Sequence, residues 1–460
     1  MAAKRKEIPT PVQGLLPLKA PMRVLILYAC GQLGWSLASY GVSNLLIYFY
    51  MPPESEAPGF PTYVYQGAIL GVLTLIGMVS ASGRFFDAII DPFIANWSDR
   101  KDTRFGKRRW FMLVGAIPFA LSSFLVFCPI DGSESARNFV WLLGMTTVYY
   151  FFLAFFVIPY TALIAELGHT AKECMTISTL LSVAWSLGYI FGTQVFQLQK
   201  FFTNSGQAPA QAFQNSILVL NGIALAFMLL PALFLNEKKY AKQAPSEQRI
   251  GEALRVVFGN LNFRRFLISD LMYWLAVSFI QLGIGFYTTL LLKLEVQYAS
   301  TFSLVSFLSS FLFYIPVNVL ARRFSKRTLM LTAFLIFAGT FTVLALVPLI
   351  NLPGEVILYS LAIAAAFPLA VFGILPNALV GDVVQEEERQ SGRQLSGMFF
   401  GVRAFITKVG ISVANLIFPS LLLFGKSIEH PIGVQLTAVG AVIFCMAGWN
   451  IFRRYRDVAL

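Results

Sequence analysis

Charge is what this sequence has least of. Only 13% of its 460 residues are Asp, Glu, Lys or Arg while 57% are hydrophobic, against roughly 25% charged in an ordinary soluble domain. A water-soluble globule is excluded, and no long polar stretch remains to build a large soluble domain. Cys30, Cys128, Cys174 and Cys445 have no paired or metal-type spacing, which argues against a disulfide framework or a zinc site. His169 and His430 are too far apart in sequence for a metal cluster to be argued. No Ser-His-acid constellation or phosphate loop is present, so an integral-membrane enzyme is a remote alternative and no cofactor or metal is expected. Acidic residues number 23 against 35 lysines and arginines, a net charge of +12. In a soluble protein that excess would suggest nucleic acid; in a lipid-embedded chain it is read by position, because basic residues collect on the cytoplasmic side.

What the sequence has is long apolar runs, at about 22–50, 65–97, 110–130, 138–165, 175–198, 214–235, 263–291, 299–320, 328–350, 355–380, 395–424 and 432–452. Each is long enough to span a bilayer, which needs about 20 residues of helix. The expected fold is an all-α membrane protein of twelve transmembrane helices. The tail and even-numbered connections hold nearly all the lysines and arginines, and the odd-numbered ones hold only Arg137, Lys200, Lys293 and Lys426. That asymmetry predicts that both termini are cytoplasmic. The widest polar connection divides the chain into an N-terminal tail and six-helix bundle (1–235), a cytoplasmic linker (236–262) and a C-terminal six-helix bundle and tail (263–460). Basic loops after runs 2 and 8, SDRKDTRFGKRR and ARRFSKR, suggest a duplicated six-span unit, an arrangement found in secondary transporters. The proline-rich stretch MPPESEAPGFPTY after the first run reads as a stiff, passive outer connector.

A few ionisable residues lie inside the apolar runs, where each costs roughly 2.5–3.5 kcal/mol or more at the bilayer centre unless it faces protein or water. Arg84, Asp87 and Asp91 fall within a sector of about 60° on one face of the second run. Arg84 neutralises one carboxylate, and the other lacks a fixed counter-charge within its own helix. Either a mobile cation, proton or metal ion, supplies it, or the residues form a structural network. Pro92 removes a backbone donor and frees a carbonyl one turn earlier. Arg403 and Lys408 sit about 140° apart around run 11. Lys408 needs a partner from another span, with Asp87 or Asp91 the obvious choice. Arg403 is placed to close a gate with Glu386, Glu387 or Glu388, or to reach the surface. Asp270 beside Tyr273 and Trp274 suits polyol or cation binding, or a helix-end structural role. Asp99, Arg100, Arg104, Glu166 and Arg393 lie at cytoplasmic span ends and read as a gate.

FFDAIIDPFIANWSDRKDTRFGKRRWFMLVGAIPF (85–119), IPYTALIAEL (158–167) and GDVVQEEERQSGRQLSGMFFG (381–401) resemble the signatures of the glycoside-pentoside-hexuronide:cation symporters, the melibiose-carrier-like branch of the major facilitator superfamily. The resemblance spans essentially the whole chain and implies the two-bundle major facilitator fold, alternating access and uptake driven by a cation gradient. It places Asp87 and Asp91 on the family's cation-binding carboxylates, Arg84 on the basic residue before them and Lys408 on the lysine of span 11. Around the sugar, this chain departs from melibiose carriers. Ser36 and Val157 replace aspartates, Thr161 an aromatic residue and Gly373 a tryptophan, so these positions are substrate-binding candidates at which galactoside recognition is altered. Ile90 and Ala154 replace two oxygen donors of the sodium site, which favours a proton over sodium as the coupling ion.

The expected function is therefore cation-coupled symport of a sugar, glycoside or uronide. The alternative is carriage of an amphiphile such as a lysolipid, since the family includes lipid carriers. The expected setting is the plasma (inner) membrane, with a monomer whose partners are lipid, a small solute and the coupling cation.

Overall fold

In lipid the backbone must satisfy its own hydrogen bonds, and a helix does so within one segment; the apolar runs are accordingly helical. The computed structural model describes residues 18–69, 71–101, 103–241, 258–391 and 396–457. Among these, α1 is Met22–Tyr40, α2 Leu46–Tyr50, α3 Leu75–Arg100, α4 Lys107–Leu125, α5 Ala136–Leu167, α6 Ala171–Thr193, α7 Val195–Asn204, α8 Pro209–Phe234 and α9 Glu237–Tyr240. The second group comprises α10 Leu261–Phe286, α11 Tyr298–Arg323, α12 Lys326–Leu346, α13 Gly354–Ser391, α14 Ser396–Leu422 and α15 Ile432–Phe452. A π-helical turn, Gly41–Leu45, joins α1 to α2, and another, Tyr287–Leu291, follows α10. The first long helix of each group thus carries the same irregularity.

The ends differ from the hydropathy reading where side chains cap the backbone. The first ten residues of run 2 form no helix. They hold a short antiparallel pair, β1 Ala68–Ile69 with β2 Leu73–Thr74, and α3 starts only where Thr74 Oγ1 accepts from the Gly77 amide at 3.2 Å. Thr170 caps α6 through the Glu173 amide, so that helix begins four residues early. Such caps satisfy donors that a helix start leaves open. Run 10 continues well past its apolar part to Ser391.

Helices α1 to α8 pack on one another, chiefly α1 on α6 and α8 and α4 on α5 and α8. Helices α10 to α15 do likewise, with α10 on α15 and α14 and α12 on α13 and α15. The two groups meet mainly through α3 with α14 and α6 with α11. Residues 242–257 of the expected linker lie outside the described residues. Eight of the described helical stretches are long and apolar enough on their own to cross a membrane. The stretch containing α3 is not among them, because Arg84, Asp87 and Asp91 lie in its middle.

Candidate functional site

The charges of α3 meet a lysine of the other helix group. Lys408 Nζ on α14 lies 2.9 Å from Asp87 Oδ2 and 2.5 Å from Asp91 Oδ2. Arg84 stands 3.6 Å from Asp87 Oδ2, donates to Ser43 Oγ at 2.9 Å and lies over the Tyr150 ring. Two cations thus face two carboxylates, and the cluster is formally neutral. Asp87 is shut in at 1% exposure, whereas the Asp91 and Lys408 side chains are each 24% exposed. Asp91 is therefore the more accessible of the two carboxylates. The helix pair is tightly fitted beyond this point: Ser412 Oγ on α14 donates to the Ala81 carbonyl at 2.8 Å. Also on α3, Ile90 packs against an apolar cluster of Ile94, Phe111, Ala154 and Phe155, a wall with no side-chain oxygen.

The structure brings Arg84, Asp87, Asp91 and Lys408 together and gives Arg403 a different partner from the glutamates of α13. Arg403 Nε and Nη2 donate to Asp270 at 2.7 and 3.2 Å, and Nη1 donates to Asn377 at 2.6 Å. Both ends of that pair are on the C-terminal group, and Asp270 is 1% exposed. A buried carboxylate must be paired where it lies, and α10 and α14 are neighbours. Tyr273 is spent as well, stacked on Phe372 with centroids 3.8 Å apart, while Trp274 Nε1 is buried without a partner.

The remaining substrate candidates are scattered. Ser36 is buried between α1 and α6, bonded to the carbonyls of Leu33 and Trp185; Gly188 lies so close that a side chain there would collide with its hydroxyl. Thr161 bonds back to its own helix at Ile158, Val157 packs beside the core, and Gly373 lies next to Tyr314.

Of the expected gate, Asp99 and Glu166 converge on Arg108, a residue the sequence reading passed over. Its guanidinium contacts Asp99 at 2.5 Å, Glu166 at 2.8 Å and Ser98 at 2.6 Å. Glu237 of α9 accepts from the amides of Lys107, Arg108 and Arg109, an anion at a helix N-terminus. Gly106, at φ 109°, makes the turn in front of it and leaves no room for a side chain against Glu237. The signal for Arg108 was in the sequence, as a basic residue just inside a helix start opposite Asp99. Arg100 and Arg104 are exposed, Arg104 over the Phe105 ring. Arg393 lies outside the described residues.

The contacts between the groups are uneven. Beyond the Lys408 cluster, on the side away from Arg108, Lys200 pairs with Glu295 at 2.8 Å, Lys426 donates to Gln66 at 2.8 Å, the Glu54 amide donates to the Lys426 carbonyl at 3.1 Å and Ser300 bonds the Thr193 carbonyl. The proline-rich connector therefore does more than link two spans: Phe60 and Tyr63 pack on Phe49, and Glu54, like Gln66 just beyond the connector, reaches the second group. At the opposite end, the Arg108 hub lies within the first group and the Lys326–Asp382 pair within the second.

The family model described as MFS/sugar transport protein matches residues 27–451. An isoprimeverose transporter of Lactiplantibacillus pentosus is 23% identical over 423 residues, 88% of this chain and 80% of the relative. The sodium-dependent lysophosphatidylcholine symporter 1 of Mus musculus is 21% identical over 418 residues, covering 81% and 77%. Among solved structures, a D-xylose-proton symporter superposes with a TM-score of 0.66 at 16% identity, covering 95% of this chain and 98% of that one, a likeness of fold.

Proposed function

The chain belongs to the MFS/sugar transport protein family, and from that premise we propose that it carries a sugar or glycoside together with a cation, with Asp87, Asp91 and Lys408 as the coupling centre. Its family and its relatives are membrane transporters rather than enzymes. Twelve spans with both termini in the cytoplasm, in the plasma membrane, agree with the basic-residue asymmetry. In that orientation the end tied by Lys200–Glu295 and Lys426–Gln66 is the outer one.

One observation carries the mechanism: Lys408 bridges both aspartates across the two helix groups. With no cation bound, the lysine neutralises the pair, so the empty carrier reorients without moving an uncompensated charge through lipid. A cation arriving at Asp91 takes the place of the lysine there, and Lys408 falls back on Asp87. The cluster then carries one extra positive charge and its hold between the groups is weakened, which ties ion entry to opening and closing. A proton needs a single carboxylate, whereas a dehydrated sodium ion needs several oxygens; the apolar wall of Ile90 and Ala154 favours the proton. Carriage of an amphiphile is the second reading, favoured by the similarity to the lysophosphatidylcholine symporter.

The test is uptake into reconstituted vesicles. A pH gradient should drive accumulation of a sugar or glycoside with sodium replaced by choline, and adding solute should alkalinise the medium. Strict sodium dependence would overturn proton coupling. Uptake of lysolipid alone would establish the second reading.

A further inference from the structure

Two contacts between the helix groups share one construction: a ring of one group rests on a glycine of the other. A Cβ added at Gly285 of α10 would lie 2.7 Å from Tyr48 Cε2 and 2.8 Å from Cδ2 of that ring, which belongs to α2. A Cβ added at Gly77 of α3 would lie 2.8 Å from Pro419 Cγ and 3.3 Å from the Asn415 carbonyl, both on α14. Among the described glycines, these two alone have an atom of the opposite group as their nearest obstacle. Each group supplies one glycine and one ring, so the contacts are reciprocal. Both lie on the side of the Lys408 cluster that Lys200–Glu295 and Lys426–Gln66 tie together.

The parts of these seats are held in place. Tyr48 is wedged edge to face against Phe196 and Phe60 of its own group, with centroids 5.1 and 6.1 Å away. Beneath it, Thr289 Oγ1 donates to the Gly285 carbonyl at 2.9 Å, and the Tyr287 hydroxyl meets Thr437 of α15 at 2.9 Å. The Pro419 ring has no side-chain rotation to use. Yet each seat encloses a polar atom without a partner, the Tyr48 hydroxyl in one and Asn415 Oδ1 in the other, in residues each 1% exposed. Such an atom carries its full desolvation penalty, which water removes once the groups part. Ring burial favours closure and the unpaired oxygen opposes it, so the closed arrangement is tight without being final.

We propose that Gly285 and Gly77 are positioning residues of the transport cycle: reciprocal sockets that let this end close, with the unpaired oxygens of Tyr48 and Asn415 setting how readily it reopens. The assignment goes beyond the symport reading, since the same sockets serve whatever solute or ion is carried.

Ser300 of α11, 1% exposed, bonds across the groups to the Thr193 carbonyl, so Ser300→Cys reports parting of this end as a rate of alkylation by a maleimide. The rate is quantified at that position by mass spectrometry on the purified full chain in lipid nanodiscs, where both faces are reachable and no solute is needed. On this background Gly285→Ala should raise the rate at least about tenfold, the effect of overpacking a close contact. Gly285 is the seat to alter, because the Thr74 hydroxyl that caps α3 lies 2.9 Å from a Cβ at Gly77. Adding Tyr48→Leu to Gly285→Ala should recover most of that increase. Tyr48→Phe and Asn415→Leu, which remove the unpaired oxygens, should each lower the rate about fivefold or more. Loss of structure raises the rate in every variant, so the falls and the recovery separate a socket from a merely fragile site. A rate that Gly285→Ala leaves unchanged, an increase that persists in full with Tyr48→Leu, or no fall with Tyr48→Phe overturns the proposal. Ion-coupled uptake has no part in this readout, so its failure in vesicles overturns the symport reading only.

Discussion

Asp91 and Lys408 are 317 positions apart in the chain and 2.5 Å apart in space, joining one helix of each group. Removing one member of a buried ion pair leaves the other uncompensated, at a cost of about 3–5 kcal/mol. Because both side chains are about a quarter exposed, the loss should fall at or below the low end of that range. Lys408→Gln should therefore lower the melting temperature of the purified protein, since it strands two carboxylates against Arg84. The double variant Asp91→Asn with Lys408→Gln should recover part of the loss. A double variant as unstable as the sum of the two single ones would show that the pair is uncoupled.

Asp87→Asn and Asp91→Asn should each abolish or strongly reduce concentrative uptake while the protein remains inserted, because losing a charge lowers the cost of placing α3 in lipid. At least one, and Asp91→Asn by its exposure, should retain solute exchange down its gradient. Wild-type accumulation by both variants would remove these carboxylates from coupling.

Breaking the buried Arg403–Asp270 pair should act on stability before selectivity. Asp270→Asn and Arg403→Gln are each expected to destabilise the protein by about 3 kcal/mol or more, read as a fall in melting temperature. The relative uptake of different solutes should be unchanged. A changed solute preference at unchanged stability would return Asp270 to the substrate site.

At the end that the proposed orientation places in the cytoplasm, Arg100→Gln or Arg104→Gln should shift the population inward, because exposed arginines there pair with the second group only when the two groups close on each other. Arg108→Gln should instead disrupt the first group itself, leaving Glu166 and Asp99 unpaired. Unchanged cytoplasmic accessibility of introduced cysteines in both loop variants would leave Arg100 and Arg104 a purely topological role.

At the end tied by Lys200–Glu295, which the proposed orientation makes the outer one, burial raises the Glu56 carboxyl from its ordinary 4.5, and repulsion from Glu295 of the other helix group adds to the shift. The closed state therefore binds a proton more readily than an open state in which Glu56 is solvated. The penalty on outer closure is full above the raised pKa, is relieved as pH falls through it, and levels off below about 4.5. Outer-side labelling of a cysteine placed behind the connector should decline as the medium is acidified. Glu56→Gln should hold labelling low and flat with pH; an unaltered pH dependence in that variant would assign the effect to another group.

The helices, the pairing of charges by face and the family were legible in the order of the residues, because each depends on short-range periodicity or on a contiguous motif. Hydropathy marks α5 or α10 however the chain packs, and a spacing of three and four residues puts Arg84, Asp87 and Asp91 on one face before any neighbour is known. Partner choice was legible for Lys408, expected against Asp87 or Asp91 and found there, but not for Arg403. Nothing near Arg403 in sequence distinguishes Asp270 from the glutamates of α13, and the two are resolved only by the packing of α14 on α10, which leaves a buried carboxylate within reach. Ser36 reads as polar and available until the close approach of α6 at Gly188 encloses it. The glycine seats draw single residues from helices of both groups, so no stretch of sequence contains their pattern. Where one helix supplies a site, local spacing suffices; where several do, the site comes into being with the tertiary contacts that close it.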